Sequence, residues 1–386
     1  MEDQNCTSGF IAVHLGAGYH STVNQREYKA VCHQACVQAM KMIRDKCSAL
    51  DVVTTTVGIL EDSPFTNAGV GSNLNLCGNV ECDASIMDGR SLQYGAVGAL
   101  SGIQNPSKVC RALILEQMKG SLSCGRIPPS FLVGNGALQW ARDHGIQETA
   151  TSVLLTKGAL SAYRKHKRRL SAAELSSPKK PSWTNNHVRL PCFDAVSIPT
   201  DDVVDCRDSP LDTVGAVCVD ASGNVSSAVS SGGIALKHPG RVGQASSYGC
   251  GCWAQNRNND GKPSVACSTS GCGEHLVKTL LAKECCDSLL QSDDGAAMAI
   301  QRVFTERFLE SPFLASVDEK LGGALVLSHC LDDGVELVWA HTTETMCLGY
   351  MSTNSSTPKF QLSSLPTSAV PGKSLHIQGI HCKQPP

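Results

Sequence analysis

Residues 209–231, SPLDTVGAVCVDASGNVSSAVSS, constrain the chain more tightly than any other stretch. A turn-like Ser209-Pro210 leads into a carboxylate, Asp212, and a hydroxyl, Thr213, then at once into small and β-branched residues that read as a buried strand. Ala221-Ser222-Gly223 follows, and Gly223, free to take the left-handed conformation, fits a three-residue turn into a second strand. Pairing Asp220 with Asn224 and counting outward sets Thr213 opposite Ser231; a bulge would shift this by one. Two hydroxyls then face each other across adjacent strands, roughly 5 Å apart at Cβ. By residue type alone Thr213 is a β-branched strand opener. A hydroxyl there is a weak nucleophile until a base takes its proton, and no histidine adjoins it. Cutting the 212–213 bond would supply that base: Thr213 would gain a free α-amine of pKa about 8 within reach of its own hydroxyl.

The rest of the chain limits what such a nucleophile can serve. A length of 386 residues allows two or three domains or one large α/β unit. Lys plus Arg number 33 against 35 Asp plus Glu, so no global field recruits nucleic acid or membrane. The 20 cysteines are scattered through helix- and strand-like segments, not gathered into a small framework, and read as reduced thiols. Cys250-Gly-Cys252 and Cys267-x4-Cys272 lack the paired spacing of structural zinc, so no metal is expected. MEDQNCTSGF has no basic start followed by an apolar stretch, and no apolar run approaches the ~20 residues of a membrane span. A soluble intracellular protein is expected, with the sequons at Asn5, Asn224 and Asn354 unused.

FIAVHLGAG reads as a buried strand running into a glycine loop. Val31, Ala35, Ala39 and Ile43 mark an amphipathic helix. DVVTTTVGILED is ambiguous by pattern, and the helix is preferred from its place after a turn-like break. NVECDASIMDG and SLQYGAVGAL form a hairpin through Asp88-Gly89. Asn105-Pro106 caps a helix, KVCRALILEQM, that stops at Gly120. Between 146 and 207 Ser, Pro, Lys and Arg crowd in and periodicity disappears, so a flexible basic insert is expected. Inside it YRKHKRRL and Pro178-Lys179-Lys180-Pro181 form two basic clusters: a solvated charge run, or, the favoured reading, a bipartite signal for a nuclear import receptor. The nucleus, with some protein in the cytoplasm, is the expected compartment. Beyond 211 come strands, then helices in GEHLVKTLLAKECCDSLL and AAMAIQRVFTERFL, then strands GGALVLSHC and VELVWAHTT. Strands, helices and strands in each half predict two packed antiparallel sheets with helices outside, an α/β layered architecture.

Together VHLGAG, NAGVGSNLNLCGNVECDASIMDG, LDTVGAV through KHPGRVGQ, and CSTSGCGEH resemble the asparaginase family of N-terminal-nucleophile hydrolases, in its threonine-aspartase form. The resemblance implies a four-layer αββα sandwich and self-cleavage between Asp212 and Thr213. The products are an α part, 1–212, carrying the 146–207 insert, and a β part, 213–386. It also implies that Thr213 is the nucleophile and its new amine the base, and that Ser231 supports the hydroxyl. Arg241, with Gly243 and Gln244 beside it, would hold a substrate carboxylate. Ser270 and Gly271 would supply the oxyanion site, and His14, Gly16, Gly18 and Asn67 the pocket floor. Each has a plainer reading: a surface arginine after a Pro-Gly turn, a helix cap before Glu274, a tight turn at 14–18.

Gln244 is the informative departure. Relatives that hydrolyse asparagine or isoaspartyl dipeptides carry an aspartate three residues after the arginine, which pairs with the substrate's α-ammonium; here the motif reads RVGQ. Asparagine's α-carboxylate lies two carbons from its amide carbonyl, and an aspartyl side-chain carboxylate lies two carbons from its own main-chain carbonyl, so one arginine can serve both. In the second pose a CH₂ replaces the ammonium, and an anion there would be buried unpaired at a cost. The expected activity is a self-processing threonine endopeptidase that cuts after aspartate. By resemblance its protein substrates are nuclear regulators of transcription and chromatin. No metal or organic cofactor, nucleic acid or membrane is expected, and the family implies a homodimer of αβ units. The alternatives are a β-aspartyl peptidase or L-asparaginase on small substrates, a lysosomal glycosylasparaginase, and a nuclear binding module that never matures.

Overall fold

Strand β1 (Phe10–Gly18) turns Phe10 and Ala12 to one face and Ile11, Val13 and Leu15 to the other, all of them buried. A strand apolar on both faces needs cover on both. A second sheet supplies one cover and helices the other. The structure is a computed structural model describing residues 9–176, 213–257, 262–292, 294–330 and 333–383.

The first half continues with α1 (Gln25–Arg44), α2 (Ala49–Glu61), β2 (Cys82–Asp88), β3 (Tyr94–Leu100), α3 (Pro106–Met118), β4 (Phe131–Val133), α4 (Gly134–Asp143), α5 (Thr151–Leu154) and α6 (Lys157–Ser176). The second half holds β5 (Val214–Val219), β6 (Val225–Ser231), β7 (Cys252–Gln255), β8 (Ser264–Gly271), α7 (Gly273–Thr279), α8 (Leu281–Gln291) and α9 (Ala296–Arg302). It closes with β9 (Gly322–Cys330), β10 (Gly334–His341), β11 (Thr345–Ser352), β12 (Lys359–Ser364) and β13 (His376–Cys382). Eight strands run in the order β12-β11-β1-β5-β6-β2-β3-β4 and five in the order β13-β10-β9-β8-β7. Among the described residues only β3 and β4 pair in parallel.

Helices α1, α2 and α3 cover the outer face of the larger sheet, α8 and α9 that of the smaller, and β1, β5 and β6 meet β8 and β9 face to face. This is the four-layer αββα sandwich. The chain's two halves are interleaved in it, since β1 lies between β5 and β11.

The central hairpin has the register the turn dictates. Val219 pairs with Val225 and Val214 with Ser230, so Thr213 falls opposite Ser231 without a bulge. Gly223 takes φ 81° and donates its N–H to Asp220 O at 3.0 Å.

Three expectations need correction. The irregular insert expected from 146 begins with α5 and α6, because Leu154, Leu160 and Tyr163 pack on Leu74, Val80 and Cys82. Residues 177–212, including the cluster at 178–181 and Asp212, lie outside the described residues. The single helix expected from Gly273 is two, broken where Leu280 takes φ 49°. Asn105 and Pro106 do take the N-cap and first position of α3, but the Asn105 side chain makes no cap hydrogen bond; its amide donates to Gly58 O and Asp62 Oδ1 instead. Every cysteine among the described residues is a free thiol, and none of the described helices is long and apolar enough to cross a membrane.

Candidate active site

Thr213 opens β5 on the same face as Val217 and Val219, which pack between the sheets. Its Oγ1–H donates to Ser231 Oγ at 2.9 Å, and Ser231 Oγ also accepts Gly233 N–H at 3.0 Å. Gln244 Nε2 donates to Thr213 Oγ1 at 3.4 Å. Thr213, Ser231 and Gln244 are 6, 4 and 3 % exposed, so the hydroxyl has left bulk water for a fixed set of dipoles.

Two residues further along, at Gly215 in β5, the sheets close completely. A Cβ at Gly215 would lie 2.0 Å from Ser268 Oγ and 2.4 Å from His14 Nε2. His14 is bound there, Nε2 to Ser268 Oγ at 2.8 Å, and burial pushes its imidazole down to about 3. It is therefore uncharged at neutral pH. Ser270 Oγ accepts Ala17 N–H at 2.8 Å, tying β8 to the irregularity in β1 where Gly16 takes φ 107°.

The loop after β6 is held by Asn67. Its backbone O accepts Gly232 N–H at 2.7 Å and its Nδ2 donates to Gly233 O at 2.8 Å, which fixes the donor on Ser231. Arg241 projects from the following loop and makes a two-point pair with Glu274, Nε to Oε1 at 2.9 Å and Nη2 to the same carboxylate at 2.7 Å. Burial works against ionising Glu274, but Arg241 outweighs it and holds the carboxyl below its usual range. Gly243 N–H donates to the buried Asp83 Oδ2 at 2.8 Å. Burial raises the Asp83 pKa, and nearby Lys237 opposes that rise. Lys237, 2 % exposed, donates to Glu81 O at 2.6 Å.

A cavity of about 730 Å³ opens onto these groups. Thr213, Ser231, Gly271, Arg241, Gln244 and Asn67 line it, and α6 forms a wall through Lys165, His166 and Arg169. No carboxylate belongs to its lining among the described residues. Of the residues expected at the site, His14, Gly16, Gly18, Gly243 and Ser270 are not in the lining; His14, Ser270 and Gly243 are tied into the strands and loop beneath it. The first basic cluster, expected to be exposed, is part of the wall. Glu274, Asp83 and Lys237 escaped sequence reasoning, since each matters only through a partner remote in the chain. Among the described residues no group of three or more His, Cys, Asp or Glu could hold a metal ion.

The arrangement can hold a hydroxyl for attack, bind a carboxylate on a guanidinium, and shield both from solvent. A family model described as asparaginase matches residues 7–359. The mouse isoaspartyl peptidase/L-asparaginase is 34% identical over 274 residues, 71% of this chain and 70% of its own. The human protein of the same description is 36% identical over 307 residues, 78% and 82% of the two chains. The Escherichia coli (strain K12) isoaspartyl peptidase is 30% identical over 353 residues, 88% and 95%.

Proposed function

The chain belongs to the asparaginase family of self-processing N-terminal-nucleophile hydrolases, and on that premise we propose that it is a threonine endopeptidase cutting protein chains after aspartate. One observation carries the reading: Gln244, not a carboxylate, stands between the nucleophile and Arg241, and the described lining holds no anion at all. A free amino acid or isoaspartyl dipeptide brings an α-ammonium that wants an anionic partner; an internal peptide brings none.

In the mature enzyme the Thr213 amine takes the hydroxyl proton as Oγ1 attacks the substrate aspartate's own main-chain carbonyl carbon. The tetrahedral oxyanion collapses, the C–N bond breaks, and the Thr213 ammonium returns the proton to the departing amine. Water then adds to the Thr213 ester and releases the new carboxylate. Arg241 fixes the aspartate side chain throughout. The 212–213 bond follows an aspartate too, so the chain's own junction presents the group that Arg241 would recognise.

A second reading, an isoaspartyl peptidase or L-asparaginase, has the relatives' descriptions in its favour. N-terminal sequencing and paired kinetics separate the two. We expect two fragments, the second beginning at Thr213, and turnover of Asp-containing peptides at least ~100-fold above isoaspartyl dipeptides, about 2.7 kcal/mol of discrimination. Equal rates would decide for the second reading. Gln244→Asp should move activity towards the dipeptides. Nuclear residence, with the basic run of α6 as its import signal, belongs to the same proposal, and imaging a tagged chain tests both: a wild-type chain excluded from the nucleus sinks the residence, and nuclear signal unchanged when Lys167 and Arg168 become Ser sinks the import signal.

A further inference from the structure

The guanidinium that would receive the substrate is already half engaged. An arginine offers two bidentate edges, Nε with Nη2 on the side and Nη1 with Nη2 at the end. Glu274 fills the side edge, at 2.9 and 2.7 Å. Nη1 makes no hydrogen bond among the described residues.

Glycines collar the end edge. A Cβ at Gly233 would lie 3.0 Å from Nη1, one at Gly243 2.8 Å from Nη1, and one at Gly273 2.7 Å from Nη2. Gly233 and Gly273 line the cavity beside Arg241. The point a Gly273 Cβ would occupy is also 2.7 Å from Gln244 Oε1, so Arg241 Nη2 and Gln244 Oε1 are at most twice that distance apart. Gln244 in turn reaches Thr213 Oγ1 at 3.4 Å. The unfilled space around the end edge is thus contiguous with the nucleophile.

We propose that Glu274 is a positioning residue for substrate: it locks the plane of Arg241 from the side so that the end edge is presented to the aspartate carboxylate. This rests on the reading of Arg241 under Proposed function. The rival role for the same contact is a plug, a built-in carboxylate that substrate must expel. Placement favours the lock, since Glu274 occupies the edge away from the glycine collar. Two physical effects oppose each other on its removal. Losing the negative charge strengthens attraction of an anion to Arg241, but the Glu274 side chain is 51% exposed, where solvent screens such terms. Losing the clamp frees a long side chain that every substrate must then order, roughly a tenfold effect. The second should win.

The test uses the mature protein and its Glu274→Ala and Glu274→Gln variants, with an Asp-containing peptide and with product peptides ending in Asp or Asn as inhibitors. We expect Glu274→Ala to raise KM about tenfold with kcat within about threefold. Glu274→Gln, which keeps the shape and one acceptor, should fall between. Preference for the Asp-ended over the Asn-ended inhibitor should shrink in step; a merely structural loss would weaken both inhibitors alike and overturn the proposal. A lowered KM would establish the plug. Preference that survives Glu274→Ala unchanged overturns the role of Glu274 alone, whereas its absence from the wild type overturns the endopeptidase reading and this one with it. Should Glu274→Ala fail to mature, the Gln variant carries the same comparison.

Discussion

Thr213 gives its hydroxyl hydrogen to Ser231, and Ser231 is itself oriented by the Gly233 N–H. Thr213→Ala removes both the nucleophile and the precursor of the amine. It should leave one band of 40.8 kDa on a denaturing gel, with peptide hydrolysis abolished. Ser231→Ala removes both hydrogen bonds of that hydroxyl, of which the one from Thr213 bears on the nucleophile, and self-cleavage followed by gel densitometry should slow about tenfold, the worth of one such bond. Gly215 is decided by space alone. Its missing side chain lets β8 approach β5, and Gly215→Ala should lower the urea midpoint by about 1–3 kcal/mol of stability, with more loss if the sheets resist parting. The hydroxyl pair was legible in the sequence because turn length fixes register. The quieter role of Ser270, a hydroxyl tied to β1, was not legible: a serine's partner depends on which strand packs above it.

Among the elements, the hairpins, α1 and α3 announced themselves by periodicity and turn chemistry, whereas α2 was ambiguous by pattern and was read from its place in the chain. Helix α6 did not. Its docked stripe is short, Ala159, Leu160 and Tyr163, and a run of basic residues overprints it. Tyr163 Oη and Lys167 Nζ both donate to Leu76 O, at 3.3 and 3.1 Å, so one charge of the basic cluster anchors the wall. Ala162→Pro, inside this helix, should unwind it at a cost of about 3 kcal/mol. Helical circular dichroism should drop and peptide KM rise while the 212–213 cut persists; an unaltered KM would show the wall to be idle. The break at Leu280 was equally hidden, since leucine is a poor residue for the left-handed region and nothing local marks it.

At the scale of the molecule, burial sets the response to acid. Desolvation pulls His14 down to about 3 and His341 to about 4, so the unfolded chain binds protons there that the folded chain refuses. Their contribution is lost as pH falls below about 6.5. Glu61 opposes them. Buried, with Ser107 donating to both of its oxygens, it is raised to about 7, and its contribution is lost as pH climbs from about 4.5. Burial also lowers His20, His275 and His329 and raises Asp83, so among the described residues lowered histidines outnumber raised carboxyls. Unfolding free energy should therefore rise with pH between about 4.5 and 6.5, read by urea titration, and Glu61→Gln should steepen that slope. A flat profile in the wild type would refute the assignment. What the sequence determined alone was the layered fold, the Thr213–Ser231 register and the chemistry a cut at 212–213 would create, because each follows from neighbours along the chain or across one turn. Tertiary structure alone decided which edge of Arg241 is open, that α6 walls the cavity, and that His14 and Ser270 stand beneath the site. Those depend on how two sheets and their loops pack, and packing joins residues whose chain spacing carries no signal.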